Sequence, residues 1–207
     1  MTGEGFVKTL PPGGRLEYSP HWLERPGADA LLDTLLREID WESRTIRMFG
    51  RTFAQPRLLC FMGDAGIRYR YSGDEYRARA WHPDVRALRE RLARSTGVRF
   101  NSVLLNLYRD GSDSMGWHAD DEPELGPDPT IASVSLGAER RFVLRRRAEH
   151  GCKFEIVPAH GSLLVMGGDL QHHWQHALPK TRRPAGARVN LTFRRIGQEA
   201  TPGEFSP

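Results

Sequence analysis

Residues 187–195 read Ala187-Arg188-Val189-Asn190-Leu191-Thr192-Phe193-Arg194-Arg195. The stretch alternates throughout. Val189, Leu191 and Phe193 fall on one face; Arg188, Asn190, Thr192 and Arg194 fall on the other. A period of two marks an extended strand, whose successive side chains point to opposite faces. Six further segments are strand candidates: 102–108, 131–136, 140–145, 153–157, 162–166 and 174–178. Clusters of glycine, proline and charge separate them. Many short strands without helices between them argue for an antiparallel sandwich or barrel.

Before Gly97 the period is different. A helix starts near Pro83, with Val85, Leu88 and Leu92 on one face and Gly97 past its end. Another opens at Pro26, with Leu31, Leu32, Leu35, Leu36 and Ile39 as its apolar stripe. Between them, residues 44–80 mix aromatics (Phe49, Phe53, Tyr69, Tyr71, Tyr76) with arginines and glycines, and read as short hairpins. The expected fold is mainly β with N-terminal helices (α+β), built on a double-stranded β-helix, or jelly-roll, core. Residues 1–20, rich in glycine and proline, read as a flexible arm. Residues 21–100 supply helices and hairpins packed on the core, 101–197 the core itself, and 198–207 a disordered tail.

Composition narrows the class. The 207 residues suit one domain, and 39% hydrophobic with 27% charged content suits a globular one. No apolar run is long enough to span a bilayer, and no signal peptide is evident. The expectation is a monomer in the cytoplasm of a bacterium, or in the nucleus if the source is eukaryotic. Cys60 and Cys152 are too few for a disulfide framework and lack zinc-site spacing. A net charge of +4 and a pI near 9.4 permit a polyanionic partner without requiring one.

Three features carry chemistry. His118-Ala119-Asp120 follows the loop Asp110-Gly111-Ser112-Asp113-Ser114. A histidine and an aspartate two apart can turn toward one centre. A second histidine would complete a facial triad suited to ferrous ion; a plain surface turn would carry the same pair. The polar face of 187–195 is either solvated or a cradle for a dicarboxylate, because arginine presents a planar fork to carboxylates. His176 lies twelve residues before Arg188. The strand 102–108 places Asn106 and Tyr108 on one face, beside the loop leading to His118.

Taken in this order, the segments NLYRDGSDSMGWHADD (106–121), IASVSLGAERR (131–141), HGSLLVMGGDLQHHWQHALP (160–179) and RVNLTFR (188–194) resemble the AlkB family of nucleic-acid dealkylating dioxygenases. The likeness spans roughly residues 44–196. It implies Fe(II) on His118, Asp120 and His176, which are then the catalytic residues. It implies 2-oxoglutarate on Arg188 and Arg194, helped by Asn106, Tyr108, Asn190 and Thr192. O2 is the oxidant, and the products are succinate, CO2, formaldehyde and a repaired base. The implied substrate is DNA carrying 1-methyladenine or 3-methylcytosine, single- or double-stranded, with RNA as an alternative.

On the substrate side the resemblance makes Tyr71 one wall for a flipped base and the His118 ring the other. Asp121 and Glu122 would receive the exocyclic amine. Met48-Phe49-Gly50 is similar to the hairpin wedge of duplex-acting members. Arg140, Arg141, Arg145, Arg146, Arg147, Lys180, Arg182 and Arg183 suit phosphate contact or a solvated surface equally. His172 and His173 lie near His176, but the family spacing to Arg188 favours His176. An RNA or protein demethylase, a zinc hydrolase and a non-catalytic jelly-roll binding module remain as competing readings.

Overall fold

The structure, a computed structural model, describes residues 4–48, 51–71, 74–183 and 185–197. In chain order the elements begin with β1 (Phe6–Leu10), β2 (Gly14–Ser19), α1 (Arg25–Glu38), β3 (Glu42–Met48), β4 (Arg51–Gly63), β5 (Arg68–Tyr71), β6 (Asp74–Arg77) and α2 (Pro83–Thr96). They continue with β7 (Ser102–Tyr108), β8 (Met115–His118), β9 (Ile131–Gly137), β10 (Phe142–Arg146), β11 (Lys153–Ile156), β12 (Ser162–Gly168), α3 (Leu170–His173), β13 (Trp174–Leu178) and β14 (Arg188–Arg194). One sheet has the order β1-β2-β12-β9-β14-β7-β4-β3; a second has the order β11-β10-β13-β8. All their pairings are antiparallel. This is the jelly-roll core with helices outside.

The two helices form where the punctuation places them. Pro26 and Pro83 lie in the first turns, where a missing N–H costs nothing. The His82 side chain accepts from Asp84 N at 3.2 Å, and Gly97 ends α2 with φ of 73°. Ala28 and Leu35 of α1 and Val85, Leu88 and Leu92 of α2 are buried with Val189, Leu191 and Phe193 of β14. The apolar face of β14 is therefore the one the helices cover. Its polar face turns inward, toward the second sheet, and Arg188, Asn190 and Arg194 are all buried. Solvent, the ordinary destination of a strand's polar face, is ruled out.

Residues 6–19 are not the flexible arm expected from their glycines and prolines. They form the hairpin β1–β2, and β2 pairs with β12, Leu16 opposite Met166 and Tyr18 opposite Leu164. Leu10, Leu16 and Tyr18 are buried in the core between the sheets. The glycines serve the turn, where Gly13 has φ of 65°, and burial of the alternating apolar residues outweighs their freedom. Leu16→Ala should therefore lower the unfolding free energy by about 2–5 kcal/mol, measured by urea titration. A loss below about 0.5 kcal/mol, usual for surface sites, would contradict the packing.

The segment 44–80 also differs from a set of short hairpins. β4 runs 13 residues and pairs with β7, Leu58 opposite Leu107 through Gly63 opposite Ser102. The first hundred residues thus supply four strands of the larger sheet, rather than only packing against it. β5–β6 is a separate two-stranded hairpin. The tail 198–207 lies outside the described residues. Among those described, no helix is long and apolar enough to cross a membrane.

Candidate metal and co-substrate site

β8 is a four-residue edge strand that the sequence reading missed, because its Gly116 and exposed Trp117 break the apolar alternation. It pairs with β13 so that His118 stands opposite His176, with ring centroids 4.2 Å apart. Asp120 follows β8, and its backbone N–H donates to Gln171 Oε1 of α3 at 3.0 Å. The ligand atoms of His118, Asp120 and His176 all lie within 4.8 Å of one another. His118 Nδ1–H donates to Gly116 O at 2.9 Å, which leaves Nε2 with its lone pair. His172 is on the surface, bonded to the Pro127 carbonyl, and α3 carries it and His173 away from the cluster. Only His176 of the three is brought to the pair.

The test of fit is Asp120. Its Oδ1 accepts from Arg194 Nη2 at 2.7 Å, and both groups are almost wholly buried. Its Oδ2 is buried with no hydrogen-bond partner. A buried, unpartnered carboxylate oxygen beside two imidazole nitrogens is costly unless a cation takes it. The set of two nitrogens and one carboxylate fits a divalent transition metal.

Protonation agrees. Burial first, then the neighbouring His118, lower the His176 pKa to about 3, and burial also lowers that of His118. Burial alone would raise the Asp120 carboxyl, but Arg194 and the two histidines hold it below the ordinary range. Near neutral pH the trio is thus in the state a metal needs. In the metal-free chain, His176 resists a proton that the unfolded chain accepts below pH about 6.5. Stability present above that pH is lost as the pH falls from 6.5 toward 3, by about 1.4 kcal/mol per unit for a single such group. His176→Phe should flatten that slope in urea titrations; an unchanged slope would assign the protons elsewhere.

The remaining predicted polar residues gather on the inner face of the larger sheet. β14 lies between β7 and β9. Asn190 is in register with Asn106 and with Ser135, and Arg188 with Tyr108 and with Gly137. Leu104, Asn106, Tyr108, Ser133, Asn190, Thr192 and Arg194 line a small cavity with His118, Asp120 and His176. Arg188 stands behind this wall. Its Nη2 donates to Ser135 Oγ at 2.9 Å and Asn190 Oδ1 at 3.0 Å, and its guanidinium lies 5.4 Å from the Tyr108 ring centre. Its Nε and Nη1 are buried without a partner. Burial without a carboxylate pulls its pKa down to about 10.

The two arginines are therefore not equivalent. Arg194 has its carboxylate in Asp120, while Arg188 lacks one among the described residues. By sequence alone the two form a pair. Nor does the local pattern single out Arg57, Ser133, Ser135, Tyr69 or Gln171. Arg57 Nε donates to Asn106 Oδ1 at 2.8 Å, and the Ser133 hydroxyl accepts from Asn190 Nδ2 at 3.0 Å. In sequence, Gln55-Pro56-Arg57 shows only mixed polarity; the burial of Arg57 is decided by the fold.

The residues expected at the substrate side are less tightly gathered. Tyr69, not Tyr71, has a described ring near the site. Its hydroxyl donates to Glu122 Oε2 at 2.7 Å, and Arg194 lies over its face at 5.6 Å. Burial first, then Asp120, raise the Glu122 pKa. Asp121 is paired on the surface with Arg147. Neither acid is among the cavity's lining residues. Phe49 and the Tyr71 side chain lie outside the described residues. Arg140 is not a phosphate contact: it is buried and donates to the carbonyls of Asp110, Asp113 and Pro179, pinning the loop before β8. Arg141 is paired with Glu155.

Residues 15–194 match the family model of the 2OG-Fe(II) oxygenase superfamily. The chain belongs to that superfamily. Within it, the chain is 40% identical over 199 residues to the human alpha-ketoglutarate-dependent dioxygenase alkB homolog 3, covering 91% of this chain and 69% of that protein. It is 40% identical over 179 residues to the mouse DNA oxidative demethylase ALKBH2, covering 82% of this chain and 75% of that one. These matches put it in the AlkB branch. A solved structure, that of OsALKBH1, superposes with a TM-score of 0.62 at 18% identity, covering 91% of this chain and 99% of the other, and supports the fold. As a 2OG-Fe(II) oxygenase, the chain takes Fe(II), 2-oxoglutarate and O2, and it is a dioxygenase.

Proposed function

We propose that this oxygenase repairs DNA by oxidatively removing methyl groups from 1-methyladenine and 3-methylcytosine. One observation carries the site assignment. Two sets of buried atoms at or just behind one polar pocket lack partners, Asp120 Oδ2 and the Nε and Nη1 of Arg188, and they call for a cation and an anion respectively. His118, Asp120 and His176 would hold Fe(II), which supplies O2 activation coupled to oxidative decarboxylation of 2-oxoglutarate. Arg188 would take the distal carboxylate of 2-oxoglutarate, with Tyr108 and Asn190 beside it. Asn106, Thr192 and Arg194 would line its path to the metal. Arg194 is assigned mainly to Asp120, whose charge and orientation it sets.

The substrate reading is supported by the relatives' names. The mouse relative is called a DNA oxidative demethylase. A methyl group inside a base stack cannot reach a metal buried between two sheets, so the base must leave the stack. The target bases are cationic, and Glu122 beside the site suits that charge. Tyr71 and Phe49 keep their proposed roles as stacking wall and wedge. We take the protein to act as a monomer in the cytoplasm. The test is release of formaldehyde and succinate from oligonucleotides with either lesion, single- and double-stranded, with Fe(II), ascorbate and 2-oxoglutarate. His118→Ala should abolish both products, and Phe49→Ala should weaken duplex repair more than single-strand repair. Succinate without formaldehyde from any lesion would move the substrate to RNA or protein.

A further inference from the structure

The second sheet has an outer face that the reaction does not use. On β8, His118 turns into the pocket and Trp117 turns the opposite way. β8 is the edge of its sheet, so the two faces lie on either side of one short strand. Trp117 is 37% exposed, whereas Trp174 on the adjacent β13 faces the core and is 3% exposed. The Arg145 guanidinium lies 4.2 Å from the Trp117 ring centre. Two bonds from Arg145 to Gln175 Oε1, at 3.1 and 2.9 Å, hold it there. Lys153 is in register beside Arg145 and is exposed. Neither cation has a carboxylate partner among the described residues. Arg147, at the end of β10, ties down Asp121 in the loop that carries the metal ligand.

An indole held flat by a guanidinium, in line with a free lysine, suits a base and its phosphate. Trp117 stays exposed beside a cation rather than covered by the core, and Arg145 is held by an amide rather than a carboxylate. We propose that this face holds the nucleotide beside the lesion in the same strand, its base on Trp117 and its phosphate on Arg145 and Lys153. This rests on the reading that the substrate is a nucleic-acid strand. The strand would round the edge of β8, with the damaged base on the His118 side and its neighbour on the Trp117 side. Only an unpaired neighbour offers a free ring face, so the platform serves single-stranded substrate.

The test uses the full chain with 2-oxoglutarate and manganese(II), and a fluorescein-labelled single-stranded heptamer carrying one 1-methyladenine. Trp117→Ala should weaken heptamer binding about tenfold, as loss of one base stack does, and Trp117→Phe should restore most of it. With Fe(II), kcat/KM on the lesion mononucleotide should not move. Arg145→Gln should reduce the slope of log affinity against log salt by about 0.7, the value of one single-strand phosphate contact; Trp117→Ala should leave the slope alone. Unchanged heptamer binding in Trp117→Ala would overturn the platform. So would an equal loss on heptamer and mononucleotide, which would make Trp117 a prop for His118. Either result with wild-type repair intact would leave the proposed function standing. No wild-type formaldehyde release from any lesion would defeat both.

Discussion

Asp120→Ala is expected to abolish turnover and, in the metal-free chain, to lower stability by about 3–5 kcal/mol. Two effects combine. The substitution deletes the carboxylate of the metal set, and it strands the Arg194 guanidinium, which is almost wholly buried and takes Asp120 Oδ1 at 2.7 Å. An unpaired buried cation is far more costly than the pair it came from. His118→Ala provides the contrast. It should also abolish turnover, but it leaves no buried charge alone and should cost much less stability. The measurement is urea denaturation of both variants in a chelator, beside product release with Fe(II). Equal destabilisation by the two variants would mean that the Arg194–Asp120 pair contributes no more than packing.

Arg188→Met is expected to behave in the opposite sense on stability. Arg188 keeps two donors buried without a partner, so the free chain bears a charge that its co-substrate is expected to neutralise. Methionine fills similar volume without that charge. The loss of the Ser135 and Asn190 bonds offsets part of the gain, so the ligand-free variant should be no less stable than the parent. Its KM for 2-oxoglutarate should rise about 100-fold, the equivalent of about 3 kcal/mol for a pair of charge-assisted hydrogen bonds. The rise in melting temperature that 2-oxoglutarate gives the manganese-loaded parent should vanish. A variant that still gains this rise would move the distal carboxylate to another group, and the unpartnered donors of Arg188 would then need another anion.

These two predictions separate residues that look alike in sequence. Arg188 and Arg194 occupy the same face of one strand and carry the same charge. Nothing in the period of two distinguishes them. The difference arises because Asp120, 74 residues away in the chain, meets only one of them. The same holds for His172, His173 and His176, which are chemically equal. Only His176 lies in a strand whose register sets it opposite His118.

Much was nevertheless legible. Local patterns report on local physics: the alternation at 188–194, Pro83 and Gly97 around α2, and the His-x-Asp pair all concern residues near one another. They were enough for most of the core strands after residue 100, for the two helices and for the His-x-Asp pair; His176 was singled out by the family resemblance. The hairpin at 6–19 was not legible as structure. Its turn is dense in glycine and proline, and the strand that holds it, β12, lies nearly 150 residues further on. Arg57 and Ser133 were missed for the same reason, since each matters only through a partner on another strand.

The sequence by itself determined a β-rich chain with two leading helices, an alternating strand with one polar face, and a set of ligands ordered for a metal. Tertiary structure alone decided where that polar face points. The helices bury the apolar side of β14, so Arg188, Asn190 and Arg194 must face the second sheet, out of water. There a polar group is stable only with a partner. Arg194 has found one in Asp120, and Asp120 Oδ2 with Arg188 Nε and Nη1, which have none, are the atoms we propose for the metal and the co-substrate.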